Sequence, residues 1–155
     1  MEDTKIEITE WTEAGLQDLF MMLKNTQGLT LTISHNGRVT DGTDMKVIQI
    51  LSNCGIAANL KGHRYLRTAI DLCIRDRSVL DGVTKLLYPA IAKEYNVDIA
   101  SVEHGIRHAI GKAWNKDNGE YMRQFFGNSL RTSNSKPTNS AFVATVVDYL
   151  EYYAS

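Results

Sequence analysis

The first forty residues alternate and repeat their apolar positions differently from everything that follows. From Lys5 to Thr9, Ile6 and Ile8 alternate with polar neighbours, the period of a half-buried strand. Leu16, Leu19, Phe20 and Leu23 then recur at i, i+3, i+4 and i+7, an amphipathic helix that Thr12 can cap and Gly28 can close. Leu29, Leu31 and Ile33 alternate with Thr30, Thr32 and Ser34 as far as Asn36-Gly37, a tight-turn dipeptide from which the chain returns through Val39. The expectation is a small β-α-β-β unit over residues 1–43. So small a unit barely stands alone, and it is expected to pack on the next domain or pair with a copy of itself.

Asp41-Gly42-Thr43-Asp44 is the expected boundary, and beyond it the pattern is helical throughout. Helices are expected at about 44–53, 62–76, 79–87, 88–95, 98–115, 118–126 and 139–153. Pro89 should separate the third from the fourth, since proline has no amide to donate inside a helix. Gly55 and Gly127 stand where helices should stop. The fold class is therefore mainly α: a six-to-seven-helix domain over residues 44–155, preceded by the small α/β unit.

Residues 84–114 carry the most information. Ile91 and Ala92 fall on the inner side of a short helix that Tyr95 closes, and Asn96 can take the left-handed conformation of a sharp turn. Val97 re-enters the core and Asp98 can cap the next helix, in which Val102, Ile106 and Ile110 recur at helical spacing. This is the pattern of a helix-turn-helix, whose second helix lies in the DNA major groove. Many helical bundles contain a similar corner.

Bulk properties narrow the class. The 155 residues are 43% hydrophobic and 23% charged, as in an ordinary globular protein. No apolar run is long enough to span a bilayer and no basic-then-apolar leader opens the sequence, so a cytoplasmic location and no membrane partner are expected. The net charge of −1 conceals a division. Residues 1–44 hold three basic residues against eight acidic ones, whereas residues 61–136 hold thirteen against eight. A local excess of five positive charges can attract a polyanion, although it also suits a solvated surface. Cys54 and Cys73 lie among apolar neighbours and read as buried free thiols.

Four separated stretches carry a family likeness: Lys61-Gly62-His63-Arg64-Tyr65-Leu66-Arg67; Thr84-Lys85-Leu86-Leu87-Tyr88-Pro89 with Ile91-Ala92-Lys93; Ile106-Arg107-His108-Ala109-Ile110; and Lys136-Pro137-Thr138-Asn139-Ser140. In order and spacing they resemble the C-terminal DNA-binding domain of the response regulator that starts sporulation in endospore-forming bacteria (the Spo-zero-A effector domain). The likeness covers about residues 45–153. It implies a six-helix DNA-binding domain, often working as tandem copies, that contacts RNA polymerase, including its sigma subunit, to alter transcription. The family's full-length members also carry a phosphorylated receiver domain. Residues 1–44 are too short for its five strands and acidic pocket, so the usual phosphorelay control is not expected here. The family pattern also has base-reading arginines flanking the Val-Glu pair of its recognition helix. This chain keeps Val102-Glu103 but has Ser101 and His104 at the flanks. Arginine grips guanine with two parallel bonds, which serine cannot do, so the fold and DNA-binding mode carry over more safely than the target sequence.

The expected recognition helix covers about residues 98–112. Ile99, Ala100, Ser101, Glu103 and His104, near its start, are the candidates for base edges, against the plain alternative of a solvent-facing turn. Lys93, Arg107, His108, Lys112 and Lys136 are the candidates for the DNA backbone, against a solvated basic face. Lys61, Arg64 and Arg67 share one side of their helix, as a phosphate clamp or as ordinary surface charge. Thr138, Asn139 or Ser140 can cap the last helix. His104 and His108 invite a metal reading, but the sequence holds neither His-Glu-x-x-His nor a paired-cysteine motif, and no metal or other cofactor is expected. Glycine-rich phosphate loops, nucleophile elbows and paired carboxylates are likewise missing, so the protein is not expected to be an enzyme. Double-stranded DNA is the expected partner of a transcriptional regulator, with a homodimer compatible with the hairpin edge or the aromatic last helix. The competing reading is a protein-interaction module that keeps the fold but has lost sequence-specific DNA binding.

Overall fold

The computed structural model describes Met21 and residues 33–35, 38–40, 42–127 and 135–153. The chain divides into two compact units, Met1–Val39 and Thr40–Ser155. Strands β1 (Ile33–His35) and β2 (Arg38–Thr40) pair as a two-stranded sheet, and Met21 is helical. The strand expected at 5–9, the remainder of the first amphipathic helix and the Asn36-Gly37 turn lie outside the described residues.

The second unit is helical. Its elements are α1 (Gly42–Asn53), α2 (Lys61–Arg75), a 3-10 turn (Arg77–Gly82), a π turn (Val83–Leu87), α3 (Tyr88–Tyr95), α4 (Ile99–Asp117), α5 (Glu120–Phe126) and α6 (Asn139–Tyr153). α1 starts two residues earlier than the spacing implies, so Gly42 and Thr43 of the expected boundary segment belong to its first turn. Leu51, Leu66, Ile70, Leu87, Ile91, Ile106, Ile110, Phe142 and Val146 are fully buried in one core. α2 lies at its centre, packed on α4 and α6, and α3 leans on α4.

Residues 79–87 depart from the expected α-helix. Asp76 starts a 3-10 turn by accepting from the amide and hydroxyl of Ser78, at 3.0 and 2.6 Å. The chain then widens into a π turn in which the Tyr88 N–H reaches back five residues to the Val83 carbonyl. Pro89 sits in the first turn of α3, where its missing amide is not needed. It therefore does not separate two α-helices: the wider turn runs straight into α3.

Among the described residues no helix is long and apolar enough to cross a membrane. Every buried side-chain nitrogen or oxygen among them has a hydrogen-bond partner.

Candidate functional site

The corner between α3 and α4 is built from short-range chemistry. Asn96 closes α3 in the left-handed region (φ 52°, ψ 51°), a conformation its short amide side chain tolerates. The Val97 N–H bonds the Ala92 carbonyl at 3.0 Å, and the Val97 side chain packs against the core. Asp98, in extended conformation, accepts from the Ser101 N–H at 2.6 Å and so caps α4. The bonds from the Ser101 backbone and hydroxyl hold the Asp98 carboxyl below its ordinary range, helped by His104. Val102, Ile106 and Ile110 bury one stripe of α4, while Ile91 and Ala92 bury the facing stripe of α3.

The opposite stripe of α4 is open. Ile99 is 42% exposed. Ala100, Ser101, His104, Arg107, His108 and Lys112 are exposed with it, and Lys93 is exposed on α3 just before the turn. Glu103 is half-buried, and its carboxylate is ion-paired with Arg107 one turn on. A residue assigned to base edges and one assigned to the backbone are thus engaged with each other.

Lys136 arrives from outside α4. Its ammonium lies beside Gly111, 3.3 Å from where a Cβ would stand. A cleft of about 340 Å³ lies between α4 and the start of α6, lined by Thr84, Tyr88, Glu103, Arg107, Lys136 and Asn139 among others. Arg107 and Lys136 both line it, whereas Ile99, Ala100, Ser101, His104, His108, Lys112 and Lys93 do not.

The Pro-Thr-Asn motif divides its work. Thr138 Oγ1 accepts from the Ala141 N–H at 3.2 Å and caps α6. Asn139, released from capping, donates through Nδ2 to the Tyr88 hydroxyl at 3.0 Å and to the Glu103 carbonyl at 3.2 Å. Burial pushes the Tyr88 phenol above its ordinary range, which keeps it a neutral hydroxyl. The sequence reading offered Asn139 only as a cap. No local pattern signals a bond to residues 51 and 36 positions away.

Of the three basic residues on one side of α2, Lys61 and Arg64 are exposed and Arg67 is half-buried. Arg67 makes a two-pronged salt bridge to Asp44, with contacts of 2.8 and 2.9 Å, and Arg64 lies over the Tyr95 ring, 5.9 Å from its centre. Phe126 is buried, Trp114, Phe125 and Tyr149 pack against the core, and Tyr152 is 74% exposed. Among the described residues, no three His, Cys, Asp or Glu side chains gather as a metal site.

One comparison bears on these helices. The sequence model of a family described as "Sporulation initiation factor Spo0A C terminal" matches residues 47–150, from within α1 to within α6.

Proposed function

The chain belongs to the family of sporulation initiation factor Spo0A C-terminal domains, and on that premise we propose that it regulates transcription by laying α4 in the major groove of DNA. The family is one of DNA-binding effector domains of response regulators at the onset of sporulation, not a family of enzymes. The observation that carries the finer reading is the two-sidedness of α4. Val102, Ile106 and Ile110 anchor it, while its N-terminal turns and basic side chains face outward behind a capped corner. α3 and α4 then form the helix-turn-helix.

Base edges are read by Ile99, Ala100, Ser101, Glu103 and His104. Lys93, Arg107, His108, Lys112 and Lys136 meet phosphates and set the register. With Ser101 and His104 in place of arginines, the operator differs from the family's at the bases those positions face. Contact with RNA polymerase falls to α5, where Tyr121 is 48% exposed beside Gln124. Pairing into a homodimer is compatible with this arrangement. The alternative of a fold stripped of DNA binding finds no support in the family match.

A fluorescence-anisotropy titration of the full chain against random duplexes at two salt concentrations tests the reading. Affinity is expected to fall steeply as salt rises, because bound counterions are released. Arg107→Ala is expected to weaken binding and to reduce the salt slope by about one. No binding at low salt, or binding indifferent to Arg107→Ala, overturns the proposal.

A further inference from the structure

The start of α6 meets α4 at one amide group. An asparagine side chain has two N–H donors on one nitrogen, and Asn139 spends them on the Tyr88 hydroxyl of α3 and the Glu103 carbonyl of α4. A backbone carbonyl only accepts, so the group turned toward Glu103 has to be the NH₂, which settles the orientation of the amide. Because a mid-helix carbonyl serves its own ladder with one lone pair, the second lone pair is what Asn139 takes. Three helices are held in relation by a single planar group, beside the Glu103–Arg107 ion pair.

Lys136 precedes Asn139 by three residues on the same connection, and it faces the same cleft as Arg107. The segment that carries a phosphate-directed lysine is therefore pinned to the helix that carries the base-directed side chains. Phosphate contacts position a protein on a duplex and base contacts choose the sequence, so discrimination requires that the two be in fixed register. We infer that Asn139 is a positioning residue for DNA reading: its amide locks α4 at Glu103 to the first turn of α6, so that Lys136 and the base-facing side chains meet one duplex in a single register. This rests on the DNA-binding reading above. It assigns to Asn139 no contact with DNA.

Asn139→Ser removes the reach to both partners while adding no charge to the interface, and serine is well tolerated in a first helical turn that Thr138 already caps. The full-length parent is first used to select a duplex from a random pool. Dissociation constants are then measured for that duplex and for a scrambled one, with thermal midpoints alongside. Asn139→Ser is expected to lower the ratio of selected to scrambled affinity by about tenfold, the scale of one good base contact. Affinity for the scrambled duplex should stay within about twofold and the salt slope should not change, which a merely structural role would not produce. Tyr88→Phe leaves the bond to Glu103 in place, and a smaller loss of discrimination is expected; it decides the matter if Asn139→Ser does not fold. A ratio within about twofold of the parent's, or selected and scrambled affinities falling together, overturns the inference. A parent that binds without selecting any sequence overturns the inference but leaves DNA binding standing. A parent that binds no duplex overturns both.

Discussion

Gly62 and Gly105 face each other where α2 crosses α4: a Cβ on Gly62 would stand 2.0 Å from the Gly105 carbonyl oxygen, and one on Gly105 would stand 2.8 Å from the Tyr65 ring. The two obstacles differ. Gly62 meets backbone, which moves only if the helices separate, whereas Gly105 meets the edge of a buried ring that can tilt slightly. Alanine gains about 1 kcal/mol of helix propensity at either site, and overpacking costs about 1–3 kcal/mol or more. Gly62→Ala is therefore expected to lose at least about 2 kcal/mol net, and Gly105→Ala about 0–2 kcal/mol. Urea denaturation of the two variants ranks them. A Gly62→Ala protein as stable as the parent would show that the crossing is looser than described.

That crossing marks where sequence reading succeeds and where it stops. The corner around Asn96 was legible because each part depends on residues within five positions: a left-handed asparagine, an aspartate cap and a buried stripe at Val102, Ile106 and Ile110. The π turn before α3 was not, because Pro89 argues for an interruption without saying what form it takes. Arg67 looked free to hold a phosphate, and only the fold brings Asp44 to it from 23 residues away. Asn139 had a good local role as a cap, and its tertiary role has no local signature at all. The face of α4 could be drawn in advance, while the groups that hold that face in place could not.

Two groups should give stability two separate pH dependences. Burial, and then the charge of Arg67, lowers the pKa of His63 from its ordinary 6.5. Below about pH 6.5 the unfolded chain takes up a proton that the folded chain refuses until lower pH, so stability should decline as pH falls through that window. Asp98 is depressed below its ordinary 3.8, so its contribution is full above that value and disappears as pH falls through the lower folded value. Denaturant midpoints from pH 8 down to 3 separate the groups: His63→Gln should flatten the upper limb, and Asp98→Ala should lower the whole curve except at its acid end. An upper limb unchanged by His63→Gln would remove the histidine from the account.

Cys54 and Cys73 should be silent thiols in the folded chain. Both are fully buried, and burial pushes Cys54 up to about 12 and Cys73 up to about 11. The thiolate is the reactive form, so at pH 8 neither should react with a disulfide reagent until the core opens. Titration of the native protein is expected to show no fast thiol, and the same titration in denaturant to show two. Fast labelling of Cys73 in the native state would mean that α2 and its neighbours open far more readily than their packing implies.

If α4 enters the groove as proposed, the Glu103–Arg107 pair limits how strongly it holds a duplex. Both side chains are partly exposed, so the pair contributes only about 0.3–0.5 kcal/mol to the helix. Its electrostatic effect on a polyanion is larger than that, because Glu103 both adds a negative charge to the face and occupies the guanidinium of Arg107. Glu103→Gln should leave the thermal midpoint nearly unchanged and raise affinity for scrambled duplexes severalfold, with a steeper dependence on salt. Discrimination should move the other way, since glutamine no longer offers a carboxylate to a cytosine amino group. Anisotropy titrations with the selected and scrambled duplexes read both effects together. Unchanged affinity for scrambled DNA would place Glu103 and Arg107 away from the phosphates and shift the contact surface toward the first turn of α4.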